Sequence, residues 1–274
     1  MKFQYFSRNG EIRPVEEANV SIANIEYQYG FGVYETIRVV HGIPFFLSDH
    51  LERLMESARI IGIKHSFDAR FIGKSIEELL AKNEVDTCNL KILLIGGKEL
   101  SLNILCLNPL FPDKKLYRDG ADFITYEYER PFPHAKSLNM LQSYLAYKKA
   151  RESGCYDALL VDSEGCITEG TRTNFFCLRG TTILTPPEDE ILLGVTRKAV
   201  LQVARVNGFE VEEGEIRFGE IEDADGAFVT STSSKIIPVR SIDSQNLKEP
   251  PKALRELMEA FDTFLAESNG TLTS

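Results

Sequence analysis

The chain has 274 residues, of which 43% are hydrophobic and 26% are charged, and its formal net charge is −10. This composition is typical of a globular protein whose core needs neither disulfides nor a metal, and it argues against disorder. The negative charge argues against binding nucleic acid through a general basic surface. No apolar run approaches the roughly 20 residues that span a bilayer, and the first residues do not resemble a secretory signal. We therefore expect a cytoplasmic protein that binds no membrane.

The first part of the chain is predicted to contain several strands and two helices. Residues 3–13 are typical of a hairpin that turns at Asn9-Gly10, because this pair tolerates the positive φ of tight turns. Hydrophobic patterns predict strands over residues 33–40, 45–47, 90–95 and 102–107. Apolar residues at helical spacing predict helices over about residues 48–62 and 71–82.

A proline-rich segment over residues 125–133 is the predicted connector between two domains, residues 1–124 and 134–274. After it we expect a helix over residues 138–151, with Leu138, Leu141 and Leu145 on one face. Further strands are predicted over 158–161, 166–168, 174–178 and 228–230, and further helices over 196–207 and 253–266. Strands and helices do not alternate regularly, which favours two α+β domains over a doubly wound sheet.

The five cysteines are odd in number and have no C-x-x-C spacing, which favours reduced and mostly buried thiols. The four histidines lie far apart in the sequence without the spacing of metal ligands. A zinc site is therefore not expected.

Three separate motifs contain groups that suit a phosphorylated aldehyde cofactor. Lys136 lies in the run Pro133-His134-Ala135-Lys136-Ser137-Leu138-Asn139, and Glu169 begins the run Glu169-Gly170-Thr171-Arg172-Thr173-Asn174. Gly194-Val195-Thr196-Arg197 opens a predicted helix, whose amides can bind a phosphate. Each group alone has a plainer interpretation: an exposed lysine, a solvated glutamate at a strand end, and an ordinary helix cap. Arg53 likewise falls on the polar face of its helix, where an ion pair with Glu56 would account for it.

The order and spacing of these motifs resemble the class IV pyridoxal-phosphate aminotransferases. This family includes branched-chain and D-amino-acid aminotransferases and aminodeoxychorismate lyase. The resemblance implies a two-domain α+β fold of type IV, with a smaller N-terminal α/β sandwich-like domain and a larger C-terminal domain with a barrel-like sheet. It also implies pyridoxal 5′-phosphate as the cofactor and a homodimer as the assembly.

The resemblance assigns a role to each matching residue. Lys136 is the catalytic residue that forms a Schiff base with the cofactor, and Glu169 pairs with the ring nitrogen. Arg53 and the amides of Val195 and Thr196 bind the phosphate. The full set of cofactor-binding residues is Arg53, Lys136, Glu169, Asn174, Leu192, Val195, Thr196, Ser231 and Thr232, with Thr232 preferred to Ser231. Tyr34 and Arg172 are expected on the substrate side.

Two positions depart from the family pattern. The usual Arg-Gly pair after the strand at 90–95 is replaced by Gly96-Gly97, and the usual Gly-Asp-Gly is replaced by Gly30-Phe31-Gly32. One arginine expected to bind the substrate carboxylate is therefore absent from its usual place. Lys98, Arg130 or Arg172 would have to supply that positive charge.

The leading hypothesis is an aminotransferase that moves an amino group between an amino acid and a 2-oxo acid, with branched-chain amino acids among the candidate donors. The alternative is an aminodeoxychorismate lyase that makes 4-aminobenzoate and pyruvate with the same cofactor. A third hypothesis is a binding protein that keeps the fold without turnover. The presence of both the lysine and the glutamate argues against this third hypothesis.

Overall fold

The computed structural model describes residues 3–109, 111–243 and 245–270. The chain forms two compact units, the first made of Met1–Leu110 with His134–Met140 and the second of Phe111–Pro133 with Leu141–Ser274. No helix in the described part of the chain is long and apolar enough to cross a membrane.

The first unit is an antiparallel six-stranded sheet with two amphipathic helices against one face. Its elements are β1 (Tyr5–Arg8), β2 (Glu11–Pro14), α1 (Ile25–Gln28), β3 (Gly32–Val40), β4 (Ile43–Pro44), α2 (Leu47–Ile60), α3 (Ala69–Lys82), β5 (Cys88–Ile95) and β6 (Ser101–Leu107). The strand order is β2-β1-β6-β5-β3-β4. Alternate residues of β3, among them Val33, Ile37 and Val39, are fully buried in one core cluster with residues of α2 and α3. Tyr34, Thr36 and Arg38 lie on the opposite face of the sheet.

The second unit contains a nine-stranded sheet, six strands of which close into a barrel. Its elements are α4 (Lys114–Asp119), β7 (Ala121–Glu127), α5 (Leu141–Glu152), β8 (Asp157–Val161), β9 (Ile167–Gly170), β10 (Asn174–Arg179), β11 (Thr182–Thr185), α6 (Val195–Val206), β12 (Glu210–Glu213), β13 (Gly226–Ser231), β14 (Lys235–Ile242), β15 (Gln245–Asn246) and α7 (Lys252–Gly270). The ring runs β10-β13-β14-β7-β8-β9, and the pairing of Asn174 with Glu169 closes it. The expected sandwich-like and barrel-like units are thus both present.

The hairpin at the start of the chain is confirmed. Strands β1 and β2 pair from Tyr5 opposite Pro14 to Arg8 opposite Glu11. Asn9 and Gly10 both have positive φ, 53° and 85°, which matches a two-residue turn whose twist suits the strands.

The units divide at a different place from the predicted connector at 125–133. Strand β7 reaches Glu127 and pairs in parallel with both β8 and β14, so residues 121–127 belong to the second unit's sheet. Residues 134–140, expected at the start of the second domain, belong to the first unit, where Ser137 forms a bridge with Val33. Proline content marks a connection in the chain, but it does not show which sheet the flanking residues join.

The helix predicted over 138–151 begins later, at Leu141. Leu138 is held outside the helix because its amide donates to the Gly32 carbonyl at 2.8 Å. The expected apolar face is also wrong: Leu141 is 65% exposed and Leu145 is 40% exposed. The buried face consists of Ala146 and Ala150, which pack on β8.

Candidate active site

Lys136 is fixed to the edge of β3 by its backbone. The amide of Tyr34 donates to the Lys136 carbonyl at 2.9 Å, and the Lys136 amide donates to the Ser57 hydroxyl at 3.0 Å. This pairing needs glycine at position 32, because a Cβ there would lie 2.6 Å from a Leu138 methyl carbon and 2.9 Å from the Leu94 carbonyl oxygen. The position of the lysine in the chain is therefore set by main-chain bonds.

A buried carboxylate on β3 holds Arg53 of α2. Arg53 donates to both oxygens of Glu35, at 2.7 and 2.8 Å, and His50 Nδ1 lies 2.8 Å from the same carboxylate. Burial alone would raise the pKa of Glu35, but the charge of Arg53 and hydrogen bonds from His50 and Arg53 outweigh it and lower the pKa to about 2. Burial lowers the pKa of His50, so this ring is neutral. Arg53 is therefore fixed in place with its charge retained.

This geometry corrects the expectation that Arg53 lies on the polar face of its helix beside Glu56. Its side chain is only 11% exposed, and Glu56 pairs with Arg59 instead. Helical periodicity missed this because Glu35, its partner, lies 18 residues earlier on a strand. A glutamate at a core position of an otherwise apolar strand is the signal that could have revealed it, since buried charges are paired.

Two lysine amines lie near the ring of Tyr34. Lys91 Nζ is 3.6 Å from the ring centroid, and Lys136 Nζ is 4.7 Å from it. Burial lowers the pKa of Lys91 to about 8, with a further contribution from the charge of Lys136 and an opposing effect of Tyr34. Lys91 lies on β5 among apolar residues, and the sequence patterns gave it no role.

Glu169 of the second unit ends β9 as a buried carboxylate, 4% exposed. Arg130 Nη1 donates to one of its oxygens at 3.0 Å, and the Leu192 amide approaches the other at 3.3 Å. A positive partner favours the ionised form of a carboxylate. The solvated glutamate of the plainer interpretation is therefore excluded.

Asn174 connects Glu169 to the start of α6. It lies opposite Glu169 in the sheet, and its Nδ2 donates to the Leu192 carbonyl at 2.8 Å. A Cβ on Gly194 would lie 2.0 Å from Asn174 Oδ1, so only glycine fits at the residue that precedes the helix. No side chain caps α6, and Val195 and Thr196 are buried at its first turn. The first amides of a helix have no partner within the helix, which suits them to an anion.

The hydroxyl-rich turn follows β13, the strand next to β10. Thr230 lies opposite Asn174 in the sheet, so Ser231 and Thr232 continue from the same end. The Ser231 hydroxyl lies 2.6 Å from that of Ser234 and accepts the Ser234 amide at 3.2 Å. Because Ser231 is engaged within the turn, Thr232 stays the better candidate for a ligand.

Arg172 lies over the ring of Tyr147, with its guanidinium carbon 4.2 Å from the ring centroid. The turn that carries it is fixed by Asp157, a fully buried residue that accepts the Thr171 hydroxyl at 2.5 Å. Burial raises the pKa of Asp157, and the charge of Arg172 opposes this rise. Among the other cations considered for the substrate carboxylate, Arg130 is paired with Glu169, and Lys98 is exposed.

The structure thus brings the sequence-predicted residues together in two groups, one in each unit. Arg53, Tyr34 and Lys136 are neighbours in the first. Glu169, Asn174, Leu192 and the start of α6 are neighbours in the second, with the turn after β13 one strand away. The residues that sequence reasoning missed are Glu35, His50 and Lys91.

Residues 32–242 match the family model described as amino-transferase class IV. The chain is a class IV aminotransferase. The D-alanine aminotransferase of Bacillus licheniformis is 34% identical to it over 251 residues, which cover 87% of this chain and 88% of that protein.

Solved structures agree with the family. A branched-chain aminotransferase from the thermophilic archaeon Thermoproteus uzoniensis, solved with norvaline, aligns with a TM-score of 0.87 and 28% identity, covering 95% of this chain and 94% of that one. A putative 4-amino-4-deoxychorismate lyase from Legionella pneumophila aligns less closely, with a TM-score of 0.80 and 26% identity over 90% of this chain and 97% of that one.

Class IV aminotransferases use pyridoxal phosphate, and the residues of this aminotransferase fit that group. The start of α6 has no capping side chain on its first amides, and its glycine could not be replaced by a larger residue without displacing Asn174. The chain also has a buried carboxylate, Glu169, and a lysine held by its own backbone, Lys136, and these are the types of group that such a cofactor requires.

Proposed function

We propose that this aminotransferase binds pyridoxal 5′-phosphate through Lys136 and transfers an amino group from an amino acid to a 2-oxo acid. The observation that carries the proposal is the fixed position of Lys136, whose backbone is bonded to Tyr34 and Ser57 and whose amine lies near the Tyr34 ring, as does that of Lys91. An amine acts as a nucleophile only when it is deprotonated, and neighbouring positive charge favours that form.

Arg53 would bind the cofactor phosphate from the first unit. A guanidinium can bind two oxygens at once, and the bidentate contact with Glu35 fixes its plane. His50 supports Glu35 from the other side of the carboxylate, as a neutral donor. In the second unit, the amides of Val195 and Thr196 and the hydroxyl of Thr232 would bind the phosphate as well.

Glu169 would hold the cofactor ring nitrogen in its protonated form. Its contacts with Arg130 and Leu192 keep the carboxylate in one orientation. Asn174 in turn fixes the Leu192 backbone by donating to its carbonyl. When bound, the cofactor supplies a ring that accepts electrons as a proton leaves the substrate α-carbon. Lys136 Nζ would take that proton from the α-carbon and deliver it to the aldehyde carbon of the cofactor, which is the transfer that transamination requires.

Amino donors with aliphatic side chains are the proposed substrate class, with branched-chain amino acids first. The Thermoproteus uzoniensis enzyme of closely similar fold is named for branched-chain substrates and was solved with norvaline, and the Bacillus licheniformis relative is named for D-alanine. All of these are small aliphatic amino acids.

We also propose that the protein works as a homodimer. The resemblance to the family implies this assembly, and the segment around α1 leaves large apolar side chains exposed: Ile22 is 93% exposed and Tyr29 is 80% exposed. Exposed apolar residues close together in the sequence often mark an interface.

The test uses the holoenzyme and its Lys136→Ala variant. We expect borohydride reduction and peptide mass mapping to find the cofactor on Lys136, and we expect the variant to lose at least about 1,000-fold in transamination of branched-chain amino acids with 2-oxoglutarate. Lys74→Ala is the matched control, because Lys74 is an exposed residue of α3 paired with Glu78. Full activity in Lys136→Ala, or pyruvate release from aminodeoxychorismate without an amino acceptor, would contradict the proposal.

A further inference from the structure

The amines of Lys91 and Lys136 both lie near the ring of Tyr34. This arrangement is unusual because both amines are ordinarily cations at neutral pH. Tyr34 lies on β3, and Lys91 lies on the adjacent strand β5, where its register partner is Thr36. Lys91 is therefore a diagonal neighbour of Tyr34 on the same face of the sheet. Lys136 reaches the same ring from the segment that pairs with residues 32–34 of β3. Both amines therefore lie near the same ring.

We propose that Lys91 is a positioning residue whose positive charge, held on the ring of Tyr34, increases the deprotonated fraction of the Lys136 amine, the form that reacts. This inference rests on the proposed function, in which Lys136 is the nucleophile. It adds a residue on β5 that none of the family motifs contains.

The geometry indicates which of the two amines keeps its proton. Lys91 Nζ lies closer to the Tyr34 ring, at 3.6 Å against 4.7 Å for Lys136 Nζ, so the attraction between cation and ring favours charge on Lys91. The pKa of Lys91, about 8, leaves it mostly protonated at neutral pH. Its charge then acts on Lys136.

Ionisable groups of β3 and α2 also act on these two lysines or lie close to them. From β3 there are Tyr34 and Glu35, and from α2 there are His50 and Arg53. The negative charge of Glu35 is matched by its bidentate contact with Arg53, and His50 is neutral. The charges of Arg53 and Lys136 both lower the pKa of His50. Lys136 is therefore close enough to α2 to be affected by the positive charge of Arg53 as well. The charge of Glu35 also acts on Lys91 and favours its protonated form.

The experiment measures the pKa of the Lys136 amine directly in the full-length, cofactor-free protein. Trace acetic anhydride is added at a series of pH values, and mass mapping gives the extent of acetylation of Lys136. Lys91→Met removes the charge but keeps the length of the side chain, and we expect it to raise the pKa of Lys136 by about one unit. The neutral fraction at neutral pH would then fall about tenfold.

Two controls separate charge from packing. Lys91→Arg keeps the charge and is expected to leave the pKa of Lys136 nearly unchanged. Lys74→Met removes a charge that is exposed and already paired with Glu78, and it should have no effect. If Lys91→Met fails to fold, as judged by circular dichroism, Lys91→Gln replaces it.

The inference is overturned if removing the charge of Lys91 leaves the pKa of Lys136 unchanged, or if Lys91→Arg raises it as much as Lys91→Met does. These results do not depend on catalysis. Borohydride labelling of Lys136 together with an unchanged pKa would reject the role of Lys91 alone. A shifted pKa without cofactor on Lys136 would reject the proposed function alone.

Discussion

At the scale of single residues, the most important side chain of the first unit is Glu35, a carboxylate at a core position of β3. Glu35 is fully buried, yet it makes three contacts, two with Arg53 and one with His50. Burying the charge of Glu35 or of Arg53 without the other would be strongly unfavourable. The pair stays ionised because each partner satisfies the other.

Replacing Glu35 with Gln should destabilise the protein by about 3 kcal/mol near neutral pH, because Arg53 would be left without its counter-charge. The pKa of Glu35 is lowered from 4.5 to about 2 in the fold. The stabilisation by its charge is therefore complete above about pH 4.5 and is lost as the pH falls towards about 2. Urea unfolding of both proteins over this range should show the difference shrinking as the solution becomes more acidic.

Glu56→Gln is the matched control, because Glu56 is an exposed glutamate of α2 paired with Arg59. Surface pairs of this kind contribute little, so this variant should unfold at nearly the same urea concentration as the wild type. An equal loss of stability in the two variants would show that burial of Glu35 has no special effect.

At the scale of elements, the start of α6 depends on close packing against β10. The helix lacks a capping side chain, and Gly194 lets the Asn174 amide approach the backbone. Asn174 in turn pairs with Glu169 of β9 on one side and Thr230 of β13 on the other. The position of the amides that would bind phosphate is therefore set by the sheet as much as by the helix.

Gly194→Ala should lower the affinity for pyridoxal phosphate by about tenfold or more, because the new methyl group would displace Asn174 or the first turn of α6. Binding is measured by cofactor absorbance during titration of the cofactor-free protein. Gly73→Ala, in the middle of α3 with open space around the new methyl, is the control. It should leave the affinity unchanged and raise stability by about 0.5–1 kcal/mol. Equal affinity in the Gly194 variant would argue against a phosphate site at this helix.

At the scale of the whole molecule, the chain builds two cores from segments that are not continuous in sequence. Residues 134–140 belong to the first unit although strand β7 before them and helix α5 after them belong to the second. The lysine proposed as nucleophile lies in this returning segment, so its position depends on the strand pairing of the first unit.

The reactivity of the five cysteine thiols tests the described burial in both units. Cys88, Cys106, Cys166 and Cys177 are buried, and Cys155 is partly exposed. Burial raises the pKa of Cys177 to about 12, so this thiol is also protonated at neutral pH. We expect a small disulfide reagent to modify Cys155 alone in the native protein and five thiols in denaturant.

Cys155→Ser should abolish the native reaction while leaving four reactive thiols in denaturant. Rapid modification of two or more cysteines in the native protein would contradict the burial described. Fewer than five reactive thiols in denatured wild type, without added reductant, would instead reveal a disulfide.

The sequence by itself determined the features that depend on neighbouring residues. Asn9-Gly10 specified a tight hairpin, Gly194-Val195-Thr196 specified the start of a helix, and the motifs around Lys136 and Glu169 identified the family. These signals are local because φ preferences, helix starts and short motifs act over a few residues.

Only the tertiary structure decided which distant side chains meet. Helical periodicity assigned Arg53 to a surface and Leu138 to a helix, whereas the register of β3 placed Glu35 beside Arg53 and Gly32 beside Leu138. Lys91 had no sequence signal at all, because its neighbour Tyr34 lies on another strand. The physical reason is that strand pairing brings together residues far apart in the chain, and no pattern within either strand alone fixes their alignment.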